Sequence, residues 1–168
     1  MRRKRVKLTI VGILLASIAV ASRGDDWARF DHKTVQVIDI IDGNSLRIQT
    51  PAGRETLRLL GIDGTDAAGA WLVDHAKGRS VTLLLQSPQT RDETGRLRSF
   101  VFLDNQNVAV ELVKEGLAYA DRREKTVMDG VIDPAEAEAR KKKRGLWSGQ
   151  GPQHMPQWRQ DWLRTLRH

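Results

Sequence analysis

Cysteine is absent from the 168-residue chain, so disulfides, thiolate metal sites and thiol nucleophiles are excluded, and a folded domain must be held by packing alone. Aromatic residues are sparse: one tyrosine, three phenylalanines and five tryptophans. Three of those tryptophans, Trp147, Trp158 and Trp162, fall within the last 22 positions. His32, His75, His154 and His168 lack the close pairing of metal-site histidines. Long apolar runs are missing as well. The uncharged stretch at residues 8–22 has 15 members, short of the roughly 20 that cross a bilayer as a helix.

What precedes that stretch gives it meaning. Met1-Arg2-Arg3-Lys4-Arg5-Val6-Lys7 is a basic opening, and Ala19-Val20-Ala21 is a small-x-small cleavage pattern. Together they read as an export signal over residues 1–21, with a retained membrane anchor at residues 8–22 as the alternative. The expected location is periplasmic or secreted. Residues 22–33 read as a linker, residues 34–147 as one domain, and residues 148–168 as a basic, Trp-rich tail. The overall net charge of +7 is unevenly spread. Residues 22–139 carry 15 basic and 20 acidic side chains, a net of −5, whereas residues 140–168 carry eight and one. Basicity therefore belongs to the two ends, and a polyanionic partner depends on local arginines and the tail.

Alternating apolar residues predict strands over 34–40, 45–50, about 56–62, 80–86 and 97–103. Ile41-Asp42-Gly43-Asn44 and Pro51-Ala52-Gly53 supply turns between the first three,. Helices are predicted over 65–77 with Gly78 as stop, over 107–115 closed by Gly116, and over 133–145 with Asp133 as cap and Pro134 as first helical residue. Five strands with a helix after the third predict an α+β fold, a five-stranded OB-type Greek-key barrel with about three helices. In the tail, Trp158, Trp162 and Leu166 share a helical face with the arginines elsewhere, which favours packing on the barrel over membrane or nucleic-acid contact.

The most informative stretch is Thr56-Leu57-Arg58-Leu59-Leu60-Gly61-Ile62-Asp63-Gly64-Thr65-Asp66. Apolar residues occupy both faces, so the strand is mostly buried and Arg58 needs an anionic partner. The acids have ordinary duties too: Asp63-Gly64 suits a turn, and Thr65 or Asp66 suits a helix cap. Four features occur in order: the Asp42-Gly43 turn, Arg58-x-x-x-x-Asp63-x-x-Asp66, Gly95-Arg96, and Gly145-Leu146-Trp147 after a charged helix. They resemble the staphylococcal-nuclease-like (thermonuclease) family across residues 34–147.

The resemblance implies the same barrel, hydrolysis of phosphodiesters in DNA or RNA, and assistance by calcium. By position it places Arg58 and Arg96 on the phosphate and Asp66 as general base. Asp63, Asn44, the Gly64 carbonyl and Asp42 become the calcium ligands, with Asp39 as a reserve carboxylate. The pattern is not intact. Asp42-Gly43-Asn44-Ser45 stands where the family has Asp-Gly-Asp-Thr, Gly64 replaces Thr or Ala, and Asp66 replaces Glu. An amide in place of a carboxylate weakens the hold on calcium. Asp66 is shorter than Glu by about 1.5 Å, and a misplacement of about 1 Å can cost on the order of a hundredfold in rate. Each residue also has a structural reading: Arg96 as a solvated loop residue, Asp42 and Asn44 as turn formers, His75 as a packed histidine. The expectation is a slowed phosphodiesterase. Its rivals are a catalytically retired barrel that binds nucleic acid or another polyanion, and an envelope-associated interaction module acting through its tail. Oligomeric state stays open.

Overall fold

The computed structural model describes residues 26–86, 88–149 and 155–166, so the expected leader lies outside the described residues. Strands β1 (Thr34–Asp42), β2 (Ser45–Thr50) and β3 (Gly53–Leu59) form the predicted antiparallel meander. The register between β1 and β2 shifts twice, after Val37 and after Ile40, and such bulges bend a strand toward closure. After β3 come a short strand β4 (Ile62–Gly64), helix α2 (Asp66–His75) and strands β5 (Ser80–Leu85) and β6 (Leu97–Leu103). The sheet order is β3-β2-β1-β5-β6, and β3 pairs in parallel with β6 to close the barrel. Val37, Leu46, Ile48, Leu57, Leu83, Leu97 and Val101 fill its interior and are fully buried.

Helix boundaries follow local chemistry. Thr65 caps α2 by accepting from the Ala68 N–H, while its hydroxyl donates to the Leu117 carbonyl at 2.6 Å, tying the helix start to a distant loop. A two-residue strand β7 (Gln106–Asn107) leads into α3 (Val108–Lys114), where the Asn107 side chain accepts from the Ala109 and Val110 N–H groups. Strand β8 (Ala118–Ala120) pairs antiparallel with β4, setting Asp63 opposite Tyr119.

Three expectations need correction. Residues 26–30, read as linker, form a short helix α1 (Asp26–Phe30) that packs on the domain. Phe30 enters the core, and the fully buried Asp26 carboxylate accepts from Thr90 and twice from Arg91. The charged helix α4 runs from Asp129 to Lys141, so Pro134 lies inside it and Asp133 is not its cap. The earlier start brings Ile132 into the core, and Asp129 accepts from the N–H and hydroxyl of Thr126 to organise the entry. Asp133 instead meets Arg122.

The tail helix α5 (Gln157–Thr165) does pack on the domain with Trp158 and Trp162 as expected, but Leu166 and Arg159 exchange roles. Leu166 is exposed, whereas Arg159 is completely buried. Its guanidinium donates to Glu136 at 2.6 Å and to the Ala120 carbonyl at 3.2 Å. Four rings surround it, those of Tyr119, Trp147, Trp158 and Trp162, at 5.0 to 5.9 Å. A planar guanidinium is weakly hydrated and stacks on aromatic faces, so it tolerates this site where an ammonium would not.

Two substitutions test these contacts. A Cβ on Gly64 would stand 1.9 Å from the Gly43 carbonyl oxygen, so Gly64→Ala is expected to cost about 1–3 kcal/mol and lower Tm by roughly 3–10 °C in thermal unfolding. Arg159→Ala leaves Glu136 buried without its closest cation and is expected to release α5, speeding tryptic cleavage of the tail by about tenfold or more.

Candidate active site

Closure of the barrel decides which cations meet. In the β2–β3 ladder Ser45 lies opposite Arg58, and in the parallel β3–β6 ladder Arg98 lies beside Arg58. Arg96, just before β6, donates from Nη1 to the Ser45 hydroxyl at 3.1 Å. Residues opposite one another on neighbouring strands share a face, so Arg58 and Arg96 arrive at the same end of the barrel. Both line a cavity of about 310 Å³, together with Arg98, Arg123, Asp92 and Asp121.

The four arginines are held differently. Asp92 fixes Arg96, accepting from its backbone N–H at 3.0 Å and from Nε at 2.7 Å. Burial pushes the Asp92 carboxyl up, but hydrogen bonds from Thr94 and Arg96 outweigh it and hold the group below the usual aspartate range,. Arg98 is nearly buried and committed to Glu124 and to Gln89, which makes it a structural member of the wall. Arg58 is loosely held. Its only ion pair among the described residues is an approach of 3.9 Å to Asp121, and no hydrogen bond from its side chain is formed there. This is the anionic partner that a half-buried strand arginine demands, although it comes from beyond β8 rather than from the neighbouring acids. The Asp121 N–H donates to the Gly61 carbonyl at 2.9 Å, which anchors Asp121 next to the end of β3.

Arg123 joins the site through the same loop. It grips Asp121 with Nε at 2.9 Å and Nη2 at 2.7 Å. Burial raises the Asp121 carboxyl, yet these bonds, followed by the charge of Arg58, keep it below the usual range. Asp63 is not part of the cavity lining but meets it through Arg123, whose Nη2 lies 3.7 Å from Asp63 Oδ2. The same oxygen accepts the indole N–H of Trp158 at 2.7 Å.

The remaining expected ligands are close in the chain fold but engaged. The Gly43 and Gly64 backbones touch, as the room for their missing Cβ atoms shows, so the β1–β2 turn abuts the end of β4. Asn44 is buried, and its side-chain oxygen accepts from the Ser45 hydroxyl at 3.1 Å. Asp42 accepts from the Asn44 N–H at 2.8 Å. Asp39 points to the surface, pairing with Lys77 and Arg47. Asp66 is exposed at the first position of α2 and lies outside the cavity lining. His75 is exposed rather than packed in the core; its ring stacks on Trp71 at 4.2 Å, and it lies outside the cavity lining.

Calcium takes six to eight oxygen ligands, several of them carboxylates. Among the described residues no three His, Cys, Asp or Glu side chains gather to hold a metal ion. The one well-placed carboxylate, Asp63, already faces a guanidinium and an indole N–H. The donors as arranged do not fit calcium.

Reasoning from sequence missed Asp92, Asp121, Arg123 and Trp158. Only Asp92 carried a local signal, its four-residue spacing from Arg96. The others reach the site through the pairing of β8 with β4 and through the tail, which no short-range pattern encodes.

Comparison with known proteins agrees with the architecture. The family model described as staphylococcal nuclease homologue matches residues 49–149. A protein of Escherichia coli O157:H7 named "Uncharacterized endonuclease" is 30% identical over 131 residues, covering 73% of this chain and 81% of that one. A Haemophilus influenzae protein of the same name is 26% identical over 167 residues, covering 95% and 87%. The thermonuclease of Staphylococcus hyicus is 26% identical over 132 residues, covering 70% and 78%. The barrel, the paired arginines at its closing edge and these matches place the chain in the staphylococcal nuclease homologue family.

Proposed function

We propose that the protein is an exported nuclease that binds the phosphodiester backbone of DNA or RNA with Arg58 and Arg96 and hydrolyses it slowly. The observation that carries this reading is that two arginines 38 positions apart in sequence line one cavity, with the Nη2 of Arg96 and the whole side-chain donor set of Arg58 free of hydrogen bonds among the described residues. Guanidinium groups with open donors match the paired oxygens of a phosphate. Charge that develops on those oxygens during hydrolysis is stabilised by the same bonds. Export is supported by the basic and then uncharged N-terminal sequence.

The resemblance assigns water activation to Asp66 and calcium binding to Asp63, Asn44, Asp42 and Gly64. The exposure of Asp66 outside the cavity lining supports a rate well below that of an intact site. It also favours a second reading, a barrel that keeps its arginines to bind nucleic acid without cutting it. The donor set around Asp63 argues against a fixed calcium ion, so phosphate recognition here rests on guanidinium groups.

Cleavage of single-stranded DNA by the purified full-length protein, with calcium and with chelator, separates the two readings. Slow cleavage that falls by about a hundredfold in Arg58→Ala supports the nuclease. Cleavage equal in both proteins removes it. The electrostatics of the site also set a pH dependence. Because the folded Asp121 carboxyl titrates below its unfolded value, its stabilising contribution is present above about pH 4 and is lost as pH falls through the lower folded value. The Tm gap between wild type and Asp121→Asn is therefore expected to be constant from neutral pH to about 5 and to narrow below about 4.

A further inference from the structure

The side chain of Arg123 is 46% exposed, lines the cavity with Arg58 and Arg96, and spends only Nε and Nη2 on Asp121. Its Nη1 makes no hydrogen bond among the described residues. Its guanidinium lies 4.8 Å from the Trp158 ring centroid, a distance at which the π face holds a cation and restricts its plane. Trp158 is itself fixed at both ends. Its indole N–H is bonded to Asp63, and its chain neighbour Arg159 is the buried ion that pins α5 to the domain.

From this arrangement we infer that Arg123 is a third phosphate-gripping group, oriented by Asp121 and by Trp158 of the tail helix, and that it takes the place of a divalent cation opposite Asp63. The inference rests on the nucleic-acid reading above and specifies how that site works. Asp63 and Asp121 become the acids that aim a guanidinium, and α5 becomes part of the binding site rather than a separate module. Polyanion binding then needs no divalent ion. Here an unspent Nη1 remains on a side chain that lines the same hollow as the two other arginines with open donors.

The test uses fluorescence anisotropy of a fluorescein-labelled, 5′-phosphorylated oligothymidylate with the full-length protein, first in chelator and then in millimolar calcium, at several salt concentrations. Wild type is expected to bind in chelator, with affinity changing by less than about twofold when calcium is added. Arg123→Ala is expected to weaken binding about tenfold and to reduce the slope of log K against log salt by about 0.7, the value for one phosphate contact on a single strand. Arg123→Lys keeps the charge, guarding against a folding defect, and should retain the slope while losing part of the affinity. Trp158→Ala should weaken binding severalfold with the slope intact, because it removes orientation and not charge. Wild-type affinity and slope in Arg123→Ala, with binding lost in Arg58→Ala, would overturn the role of Arg123 and leave the nucleic-acid reading standing. Binding that appears only after calcium is added would overturn the replacement of the ion. No binding by wild type in either condition would remove both readings.

Discussion

The parallel pairing of β3 with β6 is the constraint on which the site depends. Parallel neighbours that are distant in sequence carry a high entropic cost of closure, and here that cost is offset by burial of Leu57 and Leu59 on β3 and of Leu97, Phe100, Val101 and Leu103 on β6. Once Leu57 sits beside Leu97 and Leu59 beside Ser99, the position of every arginine at that edge follows. Arg58 and Arg98 become neighbours, and Arg96 is left at the mouth within reach of Ser45. Four guanidinium groups so close would repel one another if bare. Asp92, Asp121 and Glu124 neutralise three of them, and Arg58 keeps the loosest hold on a partner. The cation with the weakest internal commitment is the one best able to exchange it for a phosphate.

The tail contributes through a second, unrelated interaction. Burying an ion pair as deep as Arg159 with Glu136 adds little net stability over an apolar pair, but breaking it is costly. Such a contact specifies one docking position for α5 more than it strengthens the fold. That position brings Trp158 to Asp63 and Arg123, so the orientation of side chains at the barrel mouth is coupled to a helix about 95 residues away in sequence. Packing on the barrel, the favoured expectation for the Trp-rich tail, takes the form of an aromatic enclosure in which Trp147, Trp158 and Trp162 surround one arginine.

Much of the barrel was legible in the sequence because strand alternation and turn residues are local signals. The five main strands, the Thr65 start of α2 and the Asn107 start of α3 all follow from patterns within a few residues. The start of α4 was misread because Asp133-Pro134 is a strong local signal, whereas the burial of Ile132 in the core and the hydrogen bonds from Thr126 to Asp129 favour an earlier start. Arg159 was placed on the solvent side because helical periodicity sorts residues by polarity, and a guanidinium enclosed by aromatic rings reverses that sorting. Of the arginines at the site, Arg58 stood out as a cation in an apolar strand and Arg96 was indicated by the family resemblance. Asp121 and Arg123 were not legible, since they follow β8 and reach the site through its pairing with β4.

The central claim is that Arg58 and Arg96 act on one phosphate. A double-mutant cycle on binding of single-stranded DNA measures this directly, using Arg58→Ala, Arg96→Ala and the double variant. The account predicts that the two losses are coupled, with an interaction energy of about 1 kcal/mol or more. Losses that add without any coupling would show that the two guanidiniums contact separate groups, and would contradict it.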